Sequence, residues 1–227
     1  MDNVTSSQTP EAIAQVFRSS ERRWRERQIK RTLEVCLVLA LLILFSPVFL
    51  GVSLLLLAVQ GRPILFKHMR VGRNGQPFGC LKFRTMVHHA ERALEDYLAA
   101  NPAARKEWEE IRKLKDDPRV TPLGRAMRKA SLDELPQLLN VLRGEMSLVG
   151  PRPIESSELR LYGSHVYVYY SVRPGITGPW QVAGRSNVSF PKRVELDVEY
   201  VLNWSLKKDI SIIMKTILIV ISASGSF

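Results

Sequence analysis

The chain has 227 residues, with 33 lysines and arginines against 22 aspartates and glutamates, which gives a formal charge of +11. Its length suits one domain, and an apolar content of 45% excludes a disordered or collagen-like chain. With two cysteines and no C-x-x-C motif, a disulfide framework and a zinc ribbon are also excluded. The positive charge indicates an anionic partner, which could be nucleic acid, anionic lipid or a phosphorylated substrate.

An uncharged apolar segment runs from Val35 to Val59. A straight helix of that length would measure about 37 Å, enough to cross a hydrocarbon core of roughly 30 Å. The segment is too long, and starts too late in the chain, for a cleaved signal peptide. It therefore predicts a membrane anchor.

Lysines and arginines flank this anchor on both sides, and such residues favour the cytoplasmic side of a membrane. One crossing helix cannot satisfy both flanks. Ser46-Pro47 lies near the middle, where the proline breaks or kinks a helix and the serine hydroxyl can bond the carbonyl left without a donor. We therefore predict a basic segment over 1–31 and a re-entrant helix over 32–61. An ordinary kinked spanning helix is the alternative.

A β-hairpin is predicted next. Pro63 to Val71 forms the first strand, Asn74-Gly75 a tight turn, and Pro77 to Met86 the returning strand. Lys82 and Arg84 share one face of the second strand because alternate residues point the same way. Two adjacent cations suit a phosphate, although a solvated strand face would carry the same pattern.

A helix is predicted further along, where leucines recur at helical spacing from Leu135 to Leu142. Ser131 followed by Glu134 fits a capping box at its start. Pro136 is slightly deep for a first turn, so the helix could instead begin or kink there. In both cases Asp133 and Glu134 lie at a helix N-terminal end.

Asp133 and Glu134 are the main candidates for chemistry. Acidic residues are common at helix N-termini for electrostatic reasons alone, and that is the structural alternative. This pair, however, follows Arg128 and precedes Pro/Gly-rich turns that present Arg152 and Arg173. Carboxylates among arginines suit a phosphate ester with Mg²⁺, which binds one or two carboxylates, and a carboxylate can also attack phosphorus.

The last predicted element is a helix from Ile210 to Ile221, too short to span a membrane and therefore interfacial or buried. No P-loop or G-x-G-x-x-G motif occurs. The predicted fold class is mixed α/β, mainly helical with a small β-hairpin. In it, a re-entrant helix and interfacial helices carry one cytosolic domain over 62–227.

Four ordered motifs resemble those of the bacterial sugar transferases, the monotopic phosphoglycosyl transferases of polyprenyl phosphate. The motifs are Lys82-Phe83-Arg84-Thr85-Met86, Ser131-Leu132-Asp133-Glu134-Leu135-Pro136-Gln137-Leu138, Gly144-Glu145-Met146-Ser147-Leu148-Val149-Gly150-Pro151-Arg152-Pro153 and Arg173-Pro174-Gly175-Ile176-Thr177-Gly178. The stretch from Trp180 to Arg185, with Asp197, is similar to the short-form branch that starts exopolysaccharide repeat units. Pro179 departs from that branch, which often has a bulkier apolar residue there.

The resemblance implies that a UDP-sugar donates a sugar 1-phosphate to undecaprenyl phosphate with release of UMP. Asp133 matches the family nucleophile, which forms a covalent phosphosugar intermediate, and Glu134 completes the dyad. Mg²⁺ is the implied cofactor, with Asp133 as a ligand. The implied substrate-binding residues are Lys82, Arg84, Arg128, Pro151, Arg152, Pro153, Arg173, Gln181, Arg185 and Asp197.

The resemblance also implies a monotopic protein on the cytosolic face of the inner membrane, with membrane lipids as partners and no nucleic acid. Galactose or glucose is the favoured sugar, and the oligomeric state stays open, with a homodimer as one option. Two alternatives remain. One is a membrane-tethered basic binding module without catalysis, and the other is a transferase that acts by direct displacement, its carboxylates only holding the metal.

Overall fold

The computed structural model describes residues 10–111, 114, 116–184 and 188–222. The described chain is mainly helical with a small antiparallel hairpin, which confirms that part of the predicted fold class. The helices are α1 Pro10–Leu44, α2 Ser46–Gln60, α3 Ala90–Ala100, α4 Pro102–Ile111, α5 Pro122–Lys129, α6 Gln137–Leu142, α7 Leu159–Tyr162, α8 Val166–Tyr170, α9 Pro179–Ala183, α10 Phe190–Leu202 and α11 Leu206–Ile221. The strands are β1 Leu65–Val71, β2 Pro77–Phe83, β3 Ser147–Val149 and β4 Gly175–Thr177.

The predicted break in the apolar segment is present. No single helix among the described residues is both long enough and apolar enough to cross a membrane. Arg25–Leu44 and Ser46–Gln60 reach that length and apolar character only together, and the pair is bent by 59°. Pro47 has no N–H, so the carbonyl of Ile43 loses its helical donor. The Ser46 hydroxyl replaces that donor with a hydrogen bond of 2.8 Å, as predicted.

Helix α1 is continuous across position 31, so the predicted border between 1–31 and 32–61 lies inside one helix. Its middle is fastened to the rest of the fold. Lys30 Nζ donates to the Val149 carbonyl at 2.8 Å and lies 2.9 Å from Asp209 Oδ2. The Glu34 carboxylate accepts a hydrogen bond of 3.0 Å from the Leu148 N–H. A buried ionic network therefore joins α1 to β3 and α11.

The hairpin pairs Leu65 with Phe83 and Val71 with Pro77, which confirms the predicted turn between them. Its second strand ends earlier than predicted. Instead of extending the hairpin, Met86 forms an isolated bridge with Val120. Position 84 therefore lies beyond the regular strand, and the expectation that Lys82 and Arg84 share a strand face is wrong.

The capping-box prediction is also wrong. Ser131 adopts a left-handed conformation with φ of 55° and makes no capping hydrogen bond through its side chain. Leu132–Glu134 forms a 3-10 turn because Pro136 has no N–H to offer the Leu132 carbonyl, and Leu135 N bonds that carbonyl at 3.3 Å instead. The regular helix α6 begins only after this proline.

One side chain joins α6 to the hairpin. The Asn140 amide is fully buried, accepts from Leu81 N–H at 2.9 Å and donates to the Gly79 carbonyl at 2.8 Å. These backbone groups belong to β2, whose one hydrogen-bonded neighbour strand among the described residues is β1. Asn140 thus substitutes for a third strand along the free edge of β2.

A second pair of strands, which is parallel, lies beside this core. β3 and β4 pair Ser147 with Gly175 and Val149 with Thr177. Strands of three residues carry no usable alternation, so no periodic pattern predicts them. Together with α1, α6 and α11 they enclose the largest cluster of buried apolar side chains, which includes Val38, Met146 and Ile212.

Replacing Asn140 with alanine should leave two buried backbone groups of β2 without partners. We expect Asn140→Ala to lose about 2–6 kcal/mol of unfolding free energy, because each of the two buried unpaired groups costs about 1–3 kcal/mol. Thermal unfolding in detergent, followed by tryptophan fluorescence, measures the loss. Asn101→Ala is the control, because Asn101 makes one hydrogen bond to the end of its own helix α3. An equal loss in both variants would contradict the edge-pairing role.

Candidate functional site

A close approach of α5 to the end of β2 builds one wall of the site. A Cβ on Gly124 would lie 2.1 Å from the Thr85 carbonyl oxygen, so only glycine permits this contact. Thr121 caps α5 by accepting from Gly124 N–H at 2.9 Å. The approach lets Arg128 Nε, in the last turn of α5, donate to the Thr85 hydroxyl at 3.0 Å. Arg128 is thereby held at the start of the turn that carries the carboxylates.

Asp133 and Glu134 occupy the 3-10 turn that follows, and they sit in different surroundings. Asp133 is buried, with 7% of its surface exposed. Glu134 is half-buried and its Oε1 lies 2.6 Å from Lys82 Nζ, which comes from β2. The structure thus brings together Lys82, Arg128, Asp133 and Glu134, and the lysine pairs with the second carboxylate rather than with the first.

These surroundings move the two carboxyl groups in opposite directions. Burial, reinforced by the Glu134 charge, raises the pKa of Asp133 above its usual range, although Lys82 and Arg128 oppose the rise. Burial would also raise the pKa of Glu134, but the charges of Lys82 and Arg152 outweigh it and hold that pKa below its usual range. Two carboxyl groups whose pKa values shift in opposite directions are typical of sites in which the two groups take different acid–base roles.

Arg152 reaches the site from the turn after β3. It is exposed, and its charge acts on Glu134. Its guanidinium carbon lies 5.7 Å from the centre of the Trp180 ring, and that of Arg193 lies 4.4 Å from the same ring. Two cations therefore share one buried indole, an arrangement stabilised by cation–π attraction.

The sequence indicated Arg152 but not Trp180 or Arg193 as partners in a single cluster. The only local sign was a cation near the start of α10, which is common on helix surfaces. Nothing in the spacing places α10 against α9, and this contact depends on tertiary packing.

Two predicted residues lie away from the carboxylates. Arg84 is buried and donates to the carbonyls of Gln60 and Gly61, the latter at 3.0 Å, at the end of α2. Arg173 donates to the Gly144 carbonyl at 2.7 Å, at the end of α6. Both arginines therefore bond the carbonyl ends of helices, where positive charge is favourable.

The remaining predicted positions lie on the turn after β3 and on or just after α9. Pro151 and Pro153 are buried and shape the turn that carries Arg152. Gln181 lies on α9, and its buried Oε1 has no hydrogen-bond partner among the described residues. Arg185 lies outside the described residues.

Asp197 is a buried carboxyl group on α10. Its exposed fraction is 2%, and its Oδ2 accepts from the Tyr162 hydroxyl at 2.8 Å. The other oxygen, Oδ1, is buried without a partner in the described part of the chain. Burial raises the pKa of Asp197 to about 7, against the hydrogen bond from Tyr162 and the charge of Arg193.

The two carboxylates of the turn are too few to hold a metal by themselves, so a bound metal would need further ligands from the substrate. No group of three or more histidine, cysteine, aspartate or glutamate side chains able to hold a metal occurs in the part of the chain that is described. The turn offers Asp133 and Glu134, and Lys82 already engages the second. One or two carboxylates fit Mg²⁺, which commonly takes its other ligands from water and phosphate oxygens.

Comparisons with known proteins agree with these observations. The family description "Bacterial sugar transferase" matches residues 25–223. The chain is 51% identical to the exopolysaccharide production protein ExoY of Sinorhizobium fredii, over 87% of this chain and 88% of that protein. It is 47% identical to the undecaprenyl-phosphate galactose phosphotransferase of Salmonella typhimurium, over 88% of this chain but 42% of that protein. It is 38% identical to the UDP-glucose:undecaprenyl-phosphate glucose-1-phosphate transferase of Caulobacter vibrioides, over 83% and 68%.

The buried Asp197 predicts a pH-dependent stability. Its pKa rises from 3.8 to about 7 on folding, so between these values the folded chain holds more protons than the unfolded chain and stability falls as pH rises. At about 1.4 kcal/mol per pKa unit, the full loss is about 4 kcal/mol. Asp197→Asn, which cannot ionise, should therefore gain stability relative to the unmodified chain as pH rises from about 5 to about 8.

Thermal unfolding across that pH range measures the gain. The exposed Asp116 provides the control variant Asp116→Asn, whose difference from the unmodified chain should stay constant. A constant difference for Asp197→Asn as well would contradict the assignment.

Proposed function

The chain belongs to the bacterial sugar transferase family, and we propose that it transfers a sugar 1-phosphate from a UDP-sugar to undecaprenyl phosphate with release of UMP. Relatives whose names state this type of transfer match more than four fifths of the chain. The observation that carries the proposal is the buried Asp133 beside the Lys82–Glu134 ion pair. This arrangement offers one carboxylate for chemistry and a neighbouring cation for phosphate charge.

In the first step, a carboxylate oxygen of Asp133 attacks the phosphorus that carries the sugar. A new oxygen–phosphorus bond forms, the bond from that phosphorus to the bridging oxygen breaks, and UMP leaves with the bonding electron pair. The phosphosugar is then held on Asp133 as an acyl phosphate. Lys82 and Arg128 supply positive charge where the phosphoryl oxygens accumulate negative charge.

In the second step, a phosphate oxygen of undecaprenyl phosphate attacks the same phosphorus. The bond to Asp133 breaks, the carboxylate is regenerated, and the product is an undecaprenyl diphosphate sugar. Glu134, which the Lys82 charge keeps ionised, accepts the proton if the lipid phosphate arrives protonated. Since the covalent intermediate lets two substrates use one site in turn, ping-pong kinetics are expected.

Mg²⁺ would be held by Asp133 together with diphosphate oxygens. When bound, it would neutralise charge on the diphosphate and oppose the burial that raises the pKa of Asp133. Arg152, above the Trp180 ring, is placed to contact the nucleotide beside the carboxylates. Galactose and glucose are the favoured sugars, because relatives named for both are similar to this chain.

The membrane placement is part of the proposal. The bent pair of helices over 32–61 enters the bilayer and returns to the cytosolic face of the inner membrane, and the domain over 62–227 lies on that face. Helix α11 supports this placement because it exposes apolar residues on one side while Asp209, Ile212 and Ile213 face the core. The exposed residues are Ile210, Met214, Ile217, Leu218 and Val220. A soluble nucleotide sugar and a lipid-anchored acceptor could then meet at the bilayer surface.

The nucleophile assignment is tested by Asp133→Asn. We expect UMP release from UDP-galactose or UDP-glucose to fall by at least about a thousandfold, because the amide cannot form the acyl phosphate. The assay uses the full chain in detergent with Mg²⁺ and undecaprenyl phosphate. Asp96→Asn, an exposed carboxylate on α3, is the control and should retain full activity. Full turnover by Asp133→Asn would contradict Asp133 as the nucleophile, and absence of turnover in the unmodified chain would favour the basic binding module.

Trapping separates covalent catalysis from direct displacement. Without lipid acceptor, the unmodified chain should release one equivalent of UMP and retain labelled phosphosugar, detected by mass spectrometry at Asp133. Glu134→Gln should still form this adduct but pass it to lipid more slowly. A chain that turns over fully yet never retains label would favour direct displacement.

The re-entrant path is tested by cysteine labelling. We expect cysteines at the exposed positions Gln28 and Gln76, each introduced into a Cys36→Ser chain, to react with an impermeant maleimide only after the cells are lysed. Pro47→Leu restores the helical N–H and should convert a fraction of molecules to labelling from opposite sides. Opposite-side labelling of the chain that retains Pro47 would contradict re-entry.

A further inference from the structure

Two arginines from distant parts of the chain converge on the end of α6. Arg31 Nη2 donates to the Leu142 carbonyl at 3.1 Å, and Arg173 Nε donates to the Gly144 carbonyl at 2.7 Å. Gly144 has a φ of +79°, which favours glycine. A Cβ at this position would lie 3.6 Å from Arg31 Nη2 and 4.0 Å from Arg173 Nη2. Both guanidinium groups therefore border the space that the missing side chain leaves.

A third arginine joins them without contributing to the fold. The hairpin tip that carries Arg73 packs against the end of α8, three residues before Arg173, because a Cβ on Gly75 would lie 3.4 Å from the Tyr170 ring. Burial, and then the charges of Arg31 and Arg73, lower the pKa of Arg173. Arg73 lies at the hairpin tip and is exposed, and in the described part of the chain its side chain makes no hydrogen bond or ion pair. Capping the α6 carbonyls explains two of the three arginines but not Arg73.

The charge of this cluster is poorly balanced by the protein. Glu34 is the acidic group that acts on Arg173. Its carboxylate already accepts from the Ser147 hydroxyl and the Leu148 N–H, and it lies 3.8 Å from Lys30 Nζ. Arg31 Nη1 is also buried without a partner among the described residues. Converging like charges are unfavourable, and an anion would relieve them.

The position of the cluster indicates which anion. Arg31 lies four residues before Val35, where the uncharged segment begins, so the cluster stands where α1 enters the bilayer in the proposed placement. Basic pockets beside membrane helices on the cytoplasmic side bind lipid head groups. Arginine is suited to this because its planar fork contacts two phosphate oxygens at once.

We propose that Arg31, Arg73 and Arg173 form a second anion site, which binds the phosphate of a membrane lipid and is separate from the Asp133–Glu134 site. Asp133 and Glu134 lie in the turn before α6, whereas Arg31 and Arg173 bond carbonyls at the opposite end of that helix. The inference rests on the proposed membrane placement. An anionic phospholipid and the polyprenyl phosphate acceptor share the required chemistry.

The test measures lipid binding without catalysis. Full-length chain carrying Asp133→Asn is titrated in detergent with phosphatidylglycerol, undecaprenyl phosphate or phosphatidylcholine, and bound lipid is counted by native mass spectrometry. We expect Arg31→Gln, Arg73→Gln and Arg173→Gln each to weaken binding of phosphatidylglycerol, undecaprenyl phosphate or both by about tenfold, the loss typical of one charged hydrogen-bond partner. Arg105→Gln, an exposed arginine on α4, removes the same charge and should bind like the parent.

The outcomes separate the two lipids and the two proposals. A loss confined to undecaprenyl phosphate assigns the site to the acceptor, and an equal loss for phosphatidylglycerol assigns it to anionic head groups generally. Unchanged binding in all three variants, or an equal loss in Arg105→Gln, would overturn the site. Arg73→Gln keeps the test valid if the other two variants fold poorly. Because no chemical step is measured, failure of Asp133 as the nucleophile would not alter this result.

Discussion

The electrostatics of the site depend on which of two neighbouring carboxylates pairs with Lys82. Lys82 lies 2.6 Å from the Glu134 oxygen, and this contact keeps Glu134 ionised while Asp133 stays buried beside it. If the lysine paired with Asp133 instead, it would stabilise the ground state of the carboxylate that is proposed to react. The fold enforces the observed choice by fixing Lys82 on β2, whose free edge Asn140 covers from α6.

The second constraint is the buried ionic network that fastens α1 to the rest of the fold. Lys30 connects α1 to Asp209 of α11 and to the end of β3, and all three polar groups are largely buried. A buried ion pair adds little net stability, but removing one partner is costly, so such a network fixes relative positions well. Helix α1, helix α11 and the end of β3, which leads to Arg152, are therefore held in fixed relative positions.

The sequence predicted the features that local chemistry determines. A proline without N–H and a neighbouring serine produced the break at Ser46-Pro47, and an Asn-Gly turn between alternating strands produced the hairpin. The local prediction failed at Ser131, which resembled a cap although Pro136 prevents the helix that it would cap. The contacts of Arg84 with the end of α2 and of Arg173 with the Gly144 carbonyl had no local sign, because their partners are distant in sequence.

The distribution of cations explains why composition alone could not choose among partners. Lys30 is already paired inside the fold, where Asp209 and Glu34 lie beside it. Lys82, Arg128 and Arg152 surround two carboxylates, so positive and negative charge nearly cancel there. The charges of Arg31 and Arg73 act on Arg173, and Glu34 opposes them. In the two proposals, the first group would suit a substrate that brings Mg²⁺, and the second would suit a bare lipid phosphate.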